Sequence, residues 1–259
     1  MKARPGWISL IAVAMSLASC GAEGVGESTS TTTPEETSTT IGTTTTLPAA
    51  GTSSTVQPGT TTTASPGGIP GDPIDFGPAA GDTLAVIGVA HDDVLNLRSA
   101  PGADQDILDG IPPLYSTLRA AGETRQLPGS MWIAVEYEGT TGWVNLRFIG
   151  YLGDTSDATA AIVESLEGSP VAGTMIDLGL IVAESLASDE PESDLVVTVA
   201  PTVGDLGEVT YDVIGLGDDA VRGLRAHVFG QLTDEGFSLF SVEITTLCGR
   251  GTDNDGLCL

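Results

Sequence analysis

Between Gly21 and Asp75 the chain has no aromatic residue. Thr, Ser, Pro and Gly dominate it, in runs such as Thr43–Thr46 and Thr60–Thr63. Such a stretch cannot bury enough apolar surface to offset the entropy of ordering, so residues 20–77 are expected to form a disordered tether. Folding is thereby confined to the chain beyond residue 77, roughly 180 residues, which allows one or two domains. As a coil of ~50 residues the tether would span about 40 Å on average. Fully extended it would reach roughly 160 Å. Thr/Ser-rich stalks of this kind are often O-glycosylated.

The residues before the tether have the form of an export signal. Lys2 and Arg4 give a positive start, and Trp7 to Leu17 is apolar. That run is too short for the ~20 helical residues that cross a bilayer. It ends in Leu17-Ala18-Ser19-Cys20-Gly21. This resembles the signal of bacterial lipoproteins. The resemblance implies removal of residues 1–19 and a diacylglyceryl group on the Cys20 sulfur, often with a third chain such as palmitate on its amine. Two chains make a stable anchor where one is marginal. The expected location is the extracytoplasmic face of the cell membrane. A plain signal peptide with a free Cys20 and an uncleaved anchor are the competing readings.

Charge narrows the partners. The formal net charge is −26, from 9 basic and 35 acidic residues. Loss of Lys2 and Arg4 leaves seven arginines and no lysine. Nucleic acid is excluded as a partner, because binding it needs a basic surface that displaces counterions. Anionic membrane surfaces and wall polymers repel such a chain unless divalent cations bridge them. The acidity suits a soluble protein in saline surroundings, and cation binding is the alternative.

Residues 78–153 show short β-type runs between turn signals. Leu84–Val89 is apolar, Val94, Leu95 and Leu97 lead into Ser99-Ala100-Pro101-Gly102, and Ile107–Leu118 is broken by Gly110 and Pro112-Pro113. Trp132–Tyr137 is β-type, Gly139–Gly142 turns the chain, and Trp143-Val144 returns it. This pattern predicts a small all-β barrel. Leu95-Asn96-Leu97-Arg98-Ser99-Ala100-Pro101-Gly102 resembles the "LNVRSGPG" motif of bacterial SH3 domains. Trp132-x-x-Val135-x-Tyr137-x-Gly139-x-x-Gly142-Trp143-Val144 resembles the closing hairpin of the same family. Ala100 departs from it, standing where Gly is usual, and Gly122–Ser130 reads as a lengthened loop. The resemblance implies an SH3-like barrel that binds cell-wall peptides or docks an envelope protein through aromatics in a groove. Ligand-binding candidates are Arg98, Tyr115, Tyr137 and Trp143. Trp132 and Trp143 fit hairpin packing as well as ligand contact, and Arg98 fits an Asp partner as well as a ligand carboxylate.

Residues 156–259 predict an α+β domain in the order α-α-β-β-α-β. Ser156 or Asp157 caps a first helix ending near Gly168, and Met175–Ala187 forms a second that Gly179 weakens. Leu195–Val199 and Val209–Val213 are strands. Asp218 or Asp219 caps a third helix with Val221, Leu224, Val228 and Leu232 on one face. Phe240, Val242 and Ile244 form a last strand. With Cys20 lipidated, Cys248 and Cys258 remain in an oxidising compartment and are expected to pair. Their loop of about ten residues gives roughly 2.5–3 kcal/mol in the chain-entropy account.

Gly215-Leu216-Gly217-Asp218-Asp219-Ala220 matches a dinucleotide fingerprint, but two aspartates would repel a pyrophosphate there. Asp253-Asn254-Asp255-Gly256 fits part of a calcium loop, but Gly251 stands where its first acidic ligand belongs. Only His91 and His227 are available for acid–base work, and no metal-ligand spacing or nucleophile motif is visible. The expectation is therefore a non-catalytic binding or scaffolding lipoprotein with no catalytic residue, metal or cofactor. The alternatives are an envelope-acting hydrolase with a targeting barrel, or an ion or solute sensor using the acidic C-terminal domain.

Overall fold

The computed structural model of the chain describes residues 68–259. Cys20, the leader and most of the tether lie outside them. Strands make up about half of the described chain. In order these are β1 (Asp72–Pro73), β2 (Thr83–Val86), β3 (Leu95–Arg98), β4 (Ile107–Ile111), β5 (Leu118–Leu127), β6 (Ser130–Tyr137) and β7 (Thr140–Asn145). A single 3-10 turn, Leu146–Phe148, precedes β8 (Ile149–Asp157). There follow α1 (Thr159–Ser165), β9 (Val171–Ala172), α2 (Met175–Leu186), β10 (Asp194–Val203), β11 (Gly207–Ile214), β12 (Val221–Thr233) and β13 (Gly236–Cys248).

These elements overturn the expected barrel joined to a separate α+β domain. All thirteen strands belong to one antiparallel system, with the path β10-β11-β12-β13-β8-β2-β5-β6-β7-β3-β4; β1 pairs with β5 and β9 with β13. β8 carries the chain across the expected boundary. Its Ile149 and Gly150 pair with Val86 and Ala85 of β2, while Tyr151 to Asp157 run beside β13.

The helix expected after Asp218 is the second correction. Residues 221–233 are β12, paired with β11 along one side and β13 along the other. Leu224, Ala226 and Val228 turn inward, and Leu232, which the helical pattern placed with the core, is 64% exposed. Asp218 caps no helix. Its Oδ1 accepts the N–H groups of Ala220 and Val221 at 2.7 and 2.9 Å and shapes the turn into β12. Those backbone N–H groups hold its carboxyl below the usual range. The lengthened loop expected over 122–130 is also absent: β5 continues to Leu127 and meets β6 at Ser130, with a register shift between Ala120 and Thr124.

Two cores lie along this sheet path. One holds Leu84, Val86, Leu97, Ile111, Leu118, Ile133, Val135 and Val144. The other holds Leu178 and Val182 of α2 against Val209, Tyr211, Val213, Val228 and Val242. α2 begins where Thr174 Oγ1 accepts the Asp177 N–H at 3.2 Å, an N-cap. Gly179 lets the helix lie close, since a Cβ there would sit 2.6 Å from the Tyr211 ring and from Val209.

The opposite face of β11 and β12 meets the N-terminal strands. Asp212 is fully buried and takes Arg225 Nε at 2.7 Å and Nη2 at 2.8 Å. The same carboxylate accepts the Gly88 N–H at 2.8 Å, and Arg225 Nη2 reaches the Val86 carbonyl at 3.0 Å. The His91 N–H donates to the Val197 carbonyl at 2.9 Å. These bonds join the two cores into one body.

The Cys248 and Cys258 sulfurs are at bonding distance, with Cα atoms 5.2 Å apart. The loop they close returns to β8, where the Asp154 N–H donates to the Gly256 carbonyl at 2.9 Å. Among the described residues no helix is long and apolar enough to cross a membrane.

Candidate functional site

Strand alternation builds the clearest concavity. Leu95 and Leu97 of β3 point into the first core, so Asn96 and Arg98 face the other way. In β6 the inward residues are Ile133 and Val135, which turns Trp132 outward, and Trp132 stands opposite Asn145 of β7. A groove of about 460 Å³ opens here, lined by Asn96, Arg98, Trp132, Asn145 and Phe148, with Val94 and Val196 on its sides. Val196 belongs to β10, so one wall comes from the far end of the sheet path.

The polar groups of the groove are held in place. Asp93 Oδ1 accepts the Val94 N–H at 2.8 Å. Arg98 donates to the Gln105 carbonyl at 2.7 Å, bracing the turn after β3. Gly102 in that turn has φ of 134°, a conformation that favours glycine. The Trp132 indole N–H donates to Ser130 Oγ at 3.0 Å. Asn145 Oδ1 accepts the Arg147 N–H at 3.0 Å and caps the 3-10 turn. An apolar floor with one guanidinium, one carboxylate and two amides suits an extended segment of backbone amides and apolar side chains.

Of the four candidates, only Arg98 lines this groove. Among the described residues it makes no bond to an Asp; its partner is the Gln105 carbonyl. Tyr115 and Tyr137 meet edge to face, centroids 4.9 Å apart, at the first core. Burial, helped by Glu138, raises the Tyr137 phenol above its ordinary value. Trp143 is buried on the outer face with Trp132 and Ala134, packed against Leu127. Asn96 and Asn145 were readable as outward positions from the alternation around Leu97 and Val144. Val196 and Phe148 were not, because they reach the groove through tertiary approach.

Neither histidine is among the residues that line this groove. His227 Nε2 is 3.3 Å from Glu208 and its ring lies 4.1 Å from Phe229. His91 is exposed on the loop that meets β10. Asp253 Oδ1 accepts the Asp255 and Leu257 N–H groups, each at 2.9 Å, so this side chain organises its own loop. Among the described residues no group of three His, Cys, Asp or Glu is placed to hold a metal ion.

Comparison with family models, curated proteins and solved structures returns no match.

Proposed function

We propose that this chain is a lipid-anchored, extracytoplasmic, non-catalytic binding module that holds extended peptide segments of the cell envelope, wall peptide first among them. The observation that carries the reading is the groove beside Trp132, in which an aromatic floor meets Asn96, Arg98 and Asn145. The Cys20 motif and the long Thr/Ser-rich segment support placement at the membrane with reach into the wall.

The test is retention of the full chain, in detergent, on purified wall material. Val94 is 43% exposed on the groove wall, so Val94→Asp alters the surface while leaving both cores intact. Retention that Val94→Asp lowers about tenfold supports the reading; equal retention of the variant, or none by the parent, sinks it. Anchoring has its own readout: Cys20→Ser should release the protein from membranes.

A further inference from the structure

A second concavity, of about 450 Å³, adjoins the groove and differs from it in charge. Gln126, Ser130, Asn145, Arg147 and Arg222 line it, with no acidic residue among its walls. In a chain with 35 acidic residues and nine basic ones, two arginines on the walls of one hollow is a local reversal of sign, with Asp194 pairing Arg147 from outside those walls. Asn145 lines both concavities and so stands between them.

Arg222 is oriented in advance. Its Nη1 donates to the Leu146 carbonyl at 2.6 Å and the Ile149 carbonyl at 3.2 Å. Among the described residues its Nε and Nη2 carry no hydrogen bond and no carboxylate pairs with it. Burial pulls its pKa down, because nothing anionic offsets the desolvation. A guanidinium fixed at one nitrogen, with its other donors free, matches the two oxygens of a carboxylate and loses little entropy on binding. Arg147 stands on the same wall; its partner is Asp194, at 2.7 Å, and both side chains are exposed.

We propose that the Arg147–Arg222 hollow is an oxyanion site that takes the free carboxylate of a peptide whose apolar residues lie in the adjoining groove. The inference rests on the groove reading and adds polarity to it: the chain end of the ligand sits at Arg222.

The experiment titrates the full chain, by calorimetry, with acetyl-Leu-Ala-Ala as the free acid, with its C-terminal amide, and with inorganic phosphate. The acid is expected to bind about tenfold tighter than the amide, the scale of one charge-assisted bidentate contact. Arg222→Gln should erase that preference, bringing acid and amide to the same affinity. Arg147→Gln, on an exposed side chain whose loss spares the fold, should reduce the preference severalfold. Acid and amide binding equally overturns the oxyanion site and leaves the groove reading standing. Neither peptide binding overturns both. Phosphate binding without peptide binding also overturns the inference, because it makes the hollow a site for free anions.

Discussion

Asp212 and Arg225 lie opposite each other on β11 and β12, and neither residue type stays in a protein interior without a partner. Here the two donors of Arg225 and the Gly88 N–H meet both carboxylate oxygens. Asp212→Ala would leave a guanidinium buried and unpaired, so a loss of about 3–5 kcal/mol is expected in urea unfolding. Asp194→Ala removes the exposed partner of Arg147 and should cost less than about 1 kcal/mol. Equal effects from the two would show that the buried pair is not the clasp its geometry implies. Tyr151 gives a pH readout at the same scale. Its hydroxyl donates to Asp82 at 2.6 Å, and burial, then that carboxylate, push the phenol above its ordinary value of 10.0. The folded state therefore holds this proton more tightly than the unfolded state. Its contribution to stability is complete below the unfolded value, near pH 10, and is lost as pH rises from there toward the folded value. Stability measured from pH 9 to 11 should fall, and Tyr151→Phe should flatten that fall; an unchanged slope would refute the assignment.

β12 shows how an element is misread. Val221, Leu224 and Val228 satisfy a helical stripe, yet Leu224, Ala226 and Val228 also alternate, and both periods coexist in thirteen residues. The tie-breakers were Gly223 and Gly230, which cost a helix about 1 kcal/mol each. Gly230 has a second reason to be glycine: a Cβ there would lie 2.6 Å from Met175 Sδ and 2.8 Å from Leu178. Gly230→Ala thus separates the two readings by sign. It should destabilise by about 1–3 kcal/mol through overpacking, whereas a helix would gain from it. α2 was legible from its apolar spacing despite Gly179, and the Thr174 cap seen in the structure agrees with it. The outward face of Phe240, 56% exposed, was not legible. Phe229 pairs with Ser241 and Gly230 with Leu239, so Phe240 is left as the extra residue of a bulge, and alternation from Val242 assigns it the wrong face. In the groove, Arg98 belongs to the Leu95–Gly102 motif, while the candidates Tyr115 and Tyr137 lie on the core side, which sequence does not distinguish from the outer side.

The organisation of the whole chain was hidden for a reason of distance. Gly88 and Asp212 are 124 residues apart, and Val86 and Arg225 are 139 apart, so no local pattern announces that they meet. What composition did show was scarcity of positive charge. Of seven arginines beyond residue 4, Arg147, Arg222 and Arg225 each bond across from the β2–β8 region to the β10–β13 region. With the shared strand β8, these contacts should make residues 68–259 unfold as one cooperative unit. Calorimetry is expected to give a single transition with equal calorimetric and van't Hoff enthalpies. Two resolved transitions would restore the picture of independent domains. Salt adds a second axis to the same measurement. Self-repulsion among 35 acidic residues is screened as the Debye length shrinks toward about 3 Å at 1 M, so the midpoint should rise with sodium chloride. The buried Asp212–Arg225 pair is shielded from that screening, and the exposed Arg147–Asp194 and Arg250–Asp219 pairs are worth too little to reverse it. A midpoint that falls with salt would instead place surface ion pairs among the main supports of the fold.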